Sequence, residues 1–444
     1  MAQLDLTRGS ITGTMLRFAL PMIAGNLLQQ MYNVADTFIV GRFLGADALA
    51  AVGSSYTLMT FLTSILLGLC MGSGAVFSNK FGAQDGPGLR VSVYTSFVLI
   101  GTLALALNGA VFVGIDPMMT LMNVPPQVYG LMREYLWVIF FGVTATFLYN
   151  YFASLLRAVG NSTAPLVFLG VCSVLNVGLD VLAVLVLGWG VAGAAAATVF
   201  SQWVGGVGLA VYTLIRLPQL RPTRADRRLR EQAGEIVRTS LLTCMQQSVM
   251  NFGILMVQGL VNRFGPAVMA AFAAGVKIDS FAYMPVQDFG NAFSTFIAQN
   301  YGAGEEGRIR RGIRSAAAVA VGFSLAVSAV VWVFARELLC IFIDPAETEI
   351  LRIGVQYLRI EGAFYCGIGG LFLLYGLYRA IRRPGMSLVL TVVSLGTRVG
   401  LAYALAPVLG VTVIWWAIPI GWALADLVGV LYYRLRVSRA GRHL

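Results

Sequence analysis

The chain of 444 residues contains a single histidine, His443, in its C-terminal tail. No imidazole is therefore available inside any apolar segment, which excludes a histidine-dependent site there. No HExxH pattern is present either, which leaves an intramembrane enzyme acting on lipid or peptide little to build its nucleophile, base or metal ligands from. The chain is expected not to be an enzyme. A GxxxxGK[ST] phosphate loop is missing too, which argues against ATP as the energy source. The five cysteines, Cys70, Cys172, Cys244, Cys340 and Cys366, show no CxxC spacing and lie in or beside apolar runs. They read as free buried thiols, not as disulfides or metal ligands. Charge is scarce as well: 11% of residues are charged, against roughly 25% in a soluble domain.

What fills the chain is apolar. Hydrophobic residues make up 58% of it, in recurrent runs of about 20, the length a helix needs to cross a bilayer core. The first run continues into a spanning segment without a small-residue cleavage site, so no signal peptide is expected. Twelve spans are expected, at roughly 14–40, 48–77, 91–113, 131–155, 164–187, 192–214, 237–261, 267–298, 315–335, 353–378, 386–408 and 412–433. The fold class is all-α and polytopic. With both termini on one side, that side collects 23 of the 31 cations and the other only six, while Lys277 and Arg398 fall within spans. This bias places both termini in the cytoplasm of a cell whose inner membrane the chain crosses. It also explains the net charge of +11 without nucleic acid as a partner.

The longest polar connection divides six spans from six. The expected organisation is an N-lobe over 1–215, a basic cytoplasmic linker over 216–236 and a C-lobe over 237–444. The halves repeat. SNKFGAQDGPGLR (78–90) returns as AQNYGAGEEGRIR (298–310), VGRF (40–43) as VNRF (261–264), and RAVGNSTAPL (157–166) as RAIRRPGMSL (379–388). The offset drifts only from 220 to 222 residues. An even number of spans per half gives the two repeats the same orientation, related by an axis along the membrane normal with a site between them.

Acids at membrane depth usually face a protein-lined, watery cavity and mark ion or proton paths. Asn176 and Asp180 sit four apart, on one helical face. Counting from span ends, Asp36, Asn176, Asp180 and Thr198 come to one level of the outer leaflet, with Tyr135 opening the fourth span at that side. Two carboxylates, an amide oxygen and hydroxyls suit a hard cation such as Na⁺. Two adjacent acids equally suit a proton, because they do not both ionise readily. Pro21, midway along the first span, removes a backbone bond and is a candidate hinge through which ion binding at Asp36 would move the helix.

LPMIAGNLLQQMYNVADTFIVGRFLG (20–45), FGAQD (81–85), LLRAVGNSTAPL (155–166), LNVGLD (175–180) and AQNYGAG (298–304), in this order, resemble the multidrug and toxic compound extrusion (MATE) family over essentially the whole chain. The likeness is greatest to its DinF-like bacterial branch. The resemblance implies the MATE fold, two pseudo-symmetric six-helix lobes. It also implies a coupling site at Asp36, Asn176, Asp180 and Thr198, holding H⁺ or Na⁺ and no further cofactor.

The second half does not copy this site. The repeat offset maps Asn176 to Arg398 and Asp180 to Ala402. The seventh and tenth spans, where other branches carry acids, offer Gln246, Gln247 and Glu361. Lys277, Asp279, Glu361 and Arg398 are expected to pair with one another, since buried charges need partners. Asp288 and Asp426 receive no role. Met31, Phe252, Met256, Tyr283, Gln287 and Phe289 are candidate substrate-cavity residues, on the pattern of apolar, aromatic pockets with sparse polar groups. The expected function is secondary active export, in which inward H⁺ or Na⁺ drives out amphipathic, cationic drugs by alternating access. Each chain carries a complete pathway and is expected to work as a monomer in contact with membrane lipid. The rival reading, a flippase for a lipid-linked precursor, is disfavoured by twelve spans and an acidic first lobe.

Overall fold

The computed structural model describes residues 4–121, 124–221 and 233–437. Arg224, Arg227, Arg228 and Arg230 of the linker, and Arg439, Arg442 and His443 of the tail, lie outside these. Among the described residues the regular elements are all helical. They are α1 (Ile11–Leu44), α2 (Ala46–Gly82), α3 (Gly86–Leu121), α4 (Pro126–Ile139), α5 (Val143–Ala158), α6 (Thr163–Asp180) and α7 (Gly190–Arg216). The second half supplies α8 (Ala233–Val261), α9 (Pro266–Gly302), α10 (Glu306–Val333), the short α11 (Ala335–Leu339), α12 (Thr348–Gly362), α13 (Tyr365–Ala380), α14 (Pro384–Leu409) and α15 (Thr412–Tyr432). Among the described residues eleven spans are long and apolar enough to cross a membrane, one of them α4 and α5 run together. The pair α12–α13, bent by 50°, makes the twelfth.

The internal repeat is visible in the backbone. Left-handed φ values occur at Gly45 and Gly265, at Gln84 and Gly304, at Gly160 and Arg382, and at Gly188 and Gly410. Each pair is separated by the 220 to 222 residues of the sequence repeat. Gly45 closes α1 against α2 and Gly265 closes α8 against α9; a left-handed turn of this kind costs a glycine little and other residues more.

The chain divides into two compact units, the first comprising the residues up to Leu6 with Leu20–Cys244, the second Thr7–Ala19 with everything from Met245. The boundaries therefore fall inside α1 and α8 and not in the 216–236 linker that the sequence suggested. Polar composition marks where a chain leaves the membrane, whereas packing decides which unit a helical turn joins. The opening turns of α8 sit on α2, where the backbone at Gly68 and Gly72 would leave a Cβ 2.6 and 2.5 Å from the Cα atoms of Cys244 and Ser240. Ser73 and Ser240 share a hydrogen bond of 2.8 Å at this contact. Small residues let apolar helices approach closely where burial of apolar surface gives no added drive. In the second unit, Gly290 of α9 and Gly376 of α13 serve the same purpose.

The FGAQD turn links α2 to α3. Asp85 accepts the Gly88 N–H (2.9 Å) and pairs with Lys80 at 3.1 Å. Partial burial opposes ionisation of this carboxyl, but the Gly88 and Lys80 donors outweigh it and hold it below the usual carboxylate range. Its contribution is thus complete at neutral pH and is lost as pH falls through the depressed value. Asp85→Ala is expected to cost about 1 kcal/mol or less at neutral pH, since the group is partly solvated. Thermal unfolding of the two proteins should converge in acid.

Candidate ion site in the first unit

α6 carries one buried stripe that includes Cys172, Ser173, Asn176 and Asp180. Immediately after Asp180 the helix widens into a π segment, Val181–Val186, closed by a bond from Leu187 N–H to the Leu182 carbonyl. Single π turns are uncommon and gather at functional sites. Here the widening begins at the residue after Asp180, the last α-helical position. That carboxyl is fully buried, and neither of its oxygens receives a hydrogen bond.

Asp36 of α1 faces Asp180, with the two carboxyls within hydrogen-bonding reach of each other. Its Oδ1 is buried and lacks a donor as well. One turn along α6 the Asn176 amide donates from Nδ2 to Thr198 Oγ1 of α7 at 3.2 Å, which leaves the Asn176 Oδ1 without a partner. Tyr135 of α4 is buried and near both acids. All five residues singled out in the sequence belong to the first unit. Asp36, Asp180 and Tyr135 form one group, and Asn176 joins Thr198 one turn from Asp180.

The arrangement leaves four buried acceptor oxygens, on Asp36, Asn176 and Asp180, with no donor aimed at them. An unpaired ionised carboxylate in such a setting is strongly unfavourable. The residues therefore fit a group that supplies positive charge: a proton shared by the carboxyls, or a monovalent cation among the oxygens. Among the described residues no three His, Cys, Asp or Glu side chains converge as a metal site. Thr198→Val would keep shape but leave the Asn176 N–H₂ without its acceptor. The expected cost is about 1–3 kcal/mol, read as a lowered unfolding temperature of the purified protein, with efflux only partly reduced.

Sequence reasoning missed Tyr32, whose ring lies near Asp36, Tyr56 and Tyr149. Its signal was present, since Tyr32 precedes Asp36 by four residues and shares its helical face.

In the second unit the expected charge network is only partly assembled. Asp279 of α9 is buried and accepts hydrogen bonds from the hydroxyls of Tyr357 (2.5 Å) and Tyr365. Glu361 lies beside it, and Arg398 is near both acids without an ion pair to either. Lys277 does not join them. It is exposed and sits 5.7 Å over the Phe342 ring. The correction is geometric: Lys277 and Asp279 are two apart, so a helix turns them to different faces. Asp288 is buried in α9, and the Asp426 carboxyl rests against Gly370 of α13.

The cavity candidates also separate. Met31 belongs to the first unit, and Phe252, Met256, Tyr283, Gln287 and Phe289 to the second. Met31 and Phe252 are exposed; Met256, Tyr283 and Gln287 are half-buried. Phe289 is 4% exposed and packed in the interior of its unit. It directly precedes Gly290, where α9 meets α13.

Twelve spans, a parallel repeat carried into the turn geometry and an acid pair inside a helical bundle define a polytopic membrane transporter, not an enzyme. The MatE family profile matches residues 21–182 and 241–404, and the chain belongs to that family. It is 29% identical over 395 residues to the probable multidrug resistance protein YpnP of Bacillus subtilis, covering 89% of this chain and 88% of that one. It is 26% identical to the probable multidrug resistance protein NorM of Thermotoga maritima, over 78% and 75% of the two chains. A crystal structure of a MATE protein in complex with MaL6 superposes with a TM-score of 0.92, at 25% identity and full coverage of both chains. The outward-facing conformation of a multidrug resistance MATE family transporter does so equally, covering 99% and 98%.

Proposed function

We propose that the protein is a secondary active exporter, an antiporter in which inward movement of H⁺ or Na⁺ through the first unit drives efflux of amphipathic organic cations. The observation that carries this reading is the set of donorless oxygens on Asp36, Asn176 and Asp180. Such a set has a reason to persist only if a cation visits it. The direct approach of the two carboxyls favours the proton over Na⁺, because a shared proton is what lets adjacent acids meet face to face.

The names of relatives support the export half of the reading. YpnP and NorM are probable multidrug resistance proteins, and a Staphylococcus aureus relative, 22% identical, is the multidrug export protein MepA. On this proposal the chain lies in the cell membrane with both termini cytoplasmic, works as a monomer and needs no cofactor beyond the coupling ion. The net negative first-unit site suits lipophilic cations as cargo.

The test is dye efflux from proteoliposomes holding the purified protein, under a pH gradient alone and a Na⁺ gradient alone. Efflux is expected to follow the pH gradient. Efflux that follows only Na⁺ would transfer the coupling role to that ion. Absence of gradient-driven movement of any organic cation would overturn the proposal and favour a lipid-linked cargo.

A further inference from the structure

Where α15 finishes, the second unit gathers arginines and tyrosines that the proposed transport does not use. Arg383 stands in the turn between α13 and α14, directly after the left-handed Arg382. Its Nη1 donates to the hydroxyl of Tyr432 at the end of α15 (3.0 Å), and the guanidinium lies 5.7 Å over that ring. Tyr378 of α13 backs the pair. It is fully buried, its ring is 5.7 Å from that of Tyr432, and its hydroxyl donates to the Gly429 carbonyl at 2.6 Å. Tyr433 lies near Arg310 and Glu306 of α10. From this residue α15 continues as a π segment, Tyr433–Val437, which carries the exposed Arg434 and Arg436.

Arg310, Arg383, Arg434 and Arg436 come from three elements, and Glu306 is paired with Arg310 at 3.4 Å, so the surface is net positive. The ring and hydroxyl of Tyr432 hold the Arg383 fork by one edge. Among the described residues its Nε and Nη2 have no partner. A guanidinium held in this way suits two parallel bonds to a phosphate. Tyrosines gather at the level where acyl chains give way to headgroups. On α15, Leu424, Leu427, Leu431 and Leu435 are exposed at intervals of three and four, an apolar stripe that ends among these arginines. The charge and the stripe together match a molecule with an anionic head and a hydrocarbon tail.

The general attraction of cations to one side of a membrane does not explain this arrangement, because the repeat does not copy it. The offset of 222 puts Asn161 in the place of Arg383. It puts Ala210, Val211, Tyr212 and Leu214 in those of Tyr432, Tyr433, Arg434 and Arg436. Asn161 is buried, and its Oδ1 accepts the Ala164 N–H at 3.0 Å at the start of α6. Both units make the same left-handed turn, at Gly160 and at Arg382. Only the second follows it with a cation laid on an aromatic ring.

We propose that Arg383, held by Tyr432 and flanked by Arg310, Arg434 and Arg436, binds the phosphate of an anionic phospholipid of the cytoplasmic leaflet. That leaflet is negatively charged, and basic pockets between spans on its side take anionic headgroups. The phosphate accepts from Arg383 Nε and Nη2, and an acyl chain follows the leucine stripe of α15. This site rests on the proposed cytoplasmic placement of the termini and is independent of antiport.

The test is native mass spectrometry of the full-length protein, purified in detergent and supplied with dioleoyl phosphatidylglycerol or dioleoyl phosphatidylcholine. The wild type is expected to retain phosphatidylglycerol in preference. Arg383→Gln should weaken that retention about fivefold, the loss for one arginine at a membrane surface. Arg434→Gln/Arg436→Gln, which changes only exposed side chains, should weaken it at least as much, and it decides the matter if Arg383→Gln does not give monodisperse protein. Arg216→Gln/Arg221→Gln removes the same charge beyond α7 in the first unit and should leave retention nearly unchanged. Equal losses in the two double variants would reduce the effect to surface charge at large and overturn the proposal. Equal retention of the two lipids by the wild type would overturn it as well. So would displacement of the lipid by millimolar inorganic phosphate, which would assign the arginines to a soluble anion. No gradient enters these measurements, so failure of the antiport would show in the efflux assay and not here.

Discussion

Asp180→Asn should reduce pH-gradient-driven dye efflux to the level of protein-free liposomes, and Asp36→Asn should do the same. The two side chains are nearly isosteric with the wild type, so helix packing is preserved and the unfolding temperature should change little. What each substitution removes is the capacity to gain and lose charge. An amide at position 180 carries no charge at any pH, so Asp36 loses the neighbour that makes one shared proton favourable. Coupling requires that the ion shift the equilibrium between two states by its differential affinity for them. A site with one titrating carboxyl fewer no longer supplies that difference. Dye binding, measured by fluorescence polarisation without a gradient, should survive in both variants. Retention of gradient-driven efflux by Asp180→Asn would remove the acid pair from the mechanism, whatever the outcome for Asp36.

Much of this arrangement was legible before any coordinates. Asp36 and Asp180 stand out because a charge inside an apolar run is costly and seldom accidental. Asn176 is tied to Asp180 by a spacing of four. The twelve spans followed from length and hydropathy, and the parallel repeat from offsets that recur in the turn φ values at Gly45 and Gly265, or Gly188 and Gly410. Three features were not legible, each for a physical reason. The π segment after Asp180 depends on how α6 packs on its neighbours, and valine and leucine runs do not announce it. The exchange of Thr7–Ala19 and residues 233–244 between units is a matter of tertiary contact, invisible to polarity. The sequence offered no second copy of the first-unit site, since the repeat offset puts Arg398 and Ala402 where Asn176 and Asp180 stand. It expected Asp279, Glu361 and Arg398 to pair with Lys277, and did not foresee the Tyr357 and Tyr365 donors on Asp279, which lie about 80 residues away on helices that only the fold brings together. Even there a trace existed: Tyr357, Glu361 and Tyr365 are spaced by four, the interval that puts side chains on one face of a helix. The break after Gly362 interrupts that face, yet Tyr365 still reaches Asp279.

Pro21→Ala is expected to slow transport about tenfold while leaving dye affinity within a factor of two. α1 runs without interruption from Ile11 to Leu44 through Pro21, yet its turns up to Ala19 pack with the second unit and those from Leu20 with the first. The proline therefore falls two residues past the point where the helix changes allegiance. Lacking an N–H, Pro21 cannot bond the carbonyl four residues back, and its ring crowds that turn. A helix weakened there can bend without breaking a full set of backbone bonds. Fifteen residues further along the same helix is Asp36, so an ion that alters the pose of the Asp36 end acts on the segment that Pro21 frees. Alanine restores the missing bond and stiffens the turn without touching any oxygen of the ion site. The stationary states should gain stability, seen as a raised unfolding temperature, and passage between them should become the slow step. Tenfold in rate corresponds to about 1.4 kcal/mol of added barrier, less than the roughly 3 kcal/mol by which proline disfavours a helix interior. An unchanged turnover number in Pro21→Ala, at unchanged affinity, would show that the kink only packs and that the Asp36 end moves by another route.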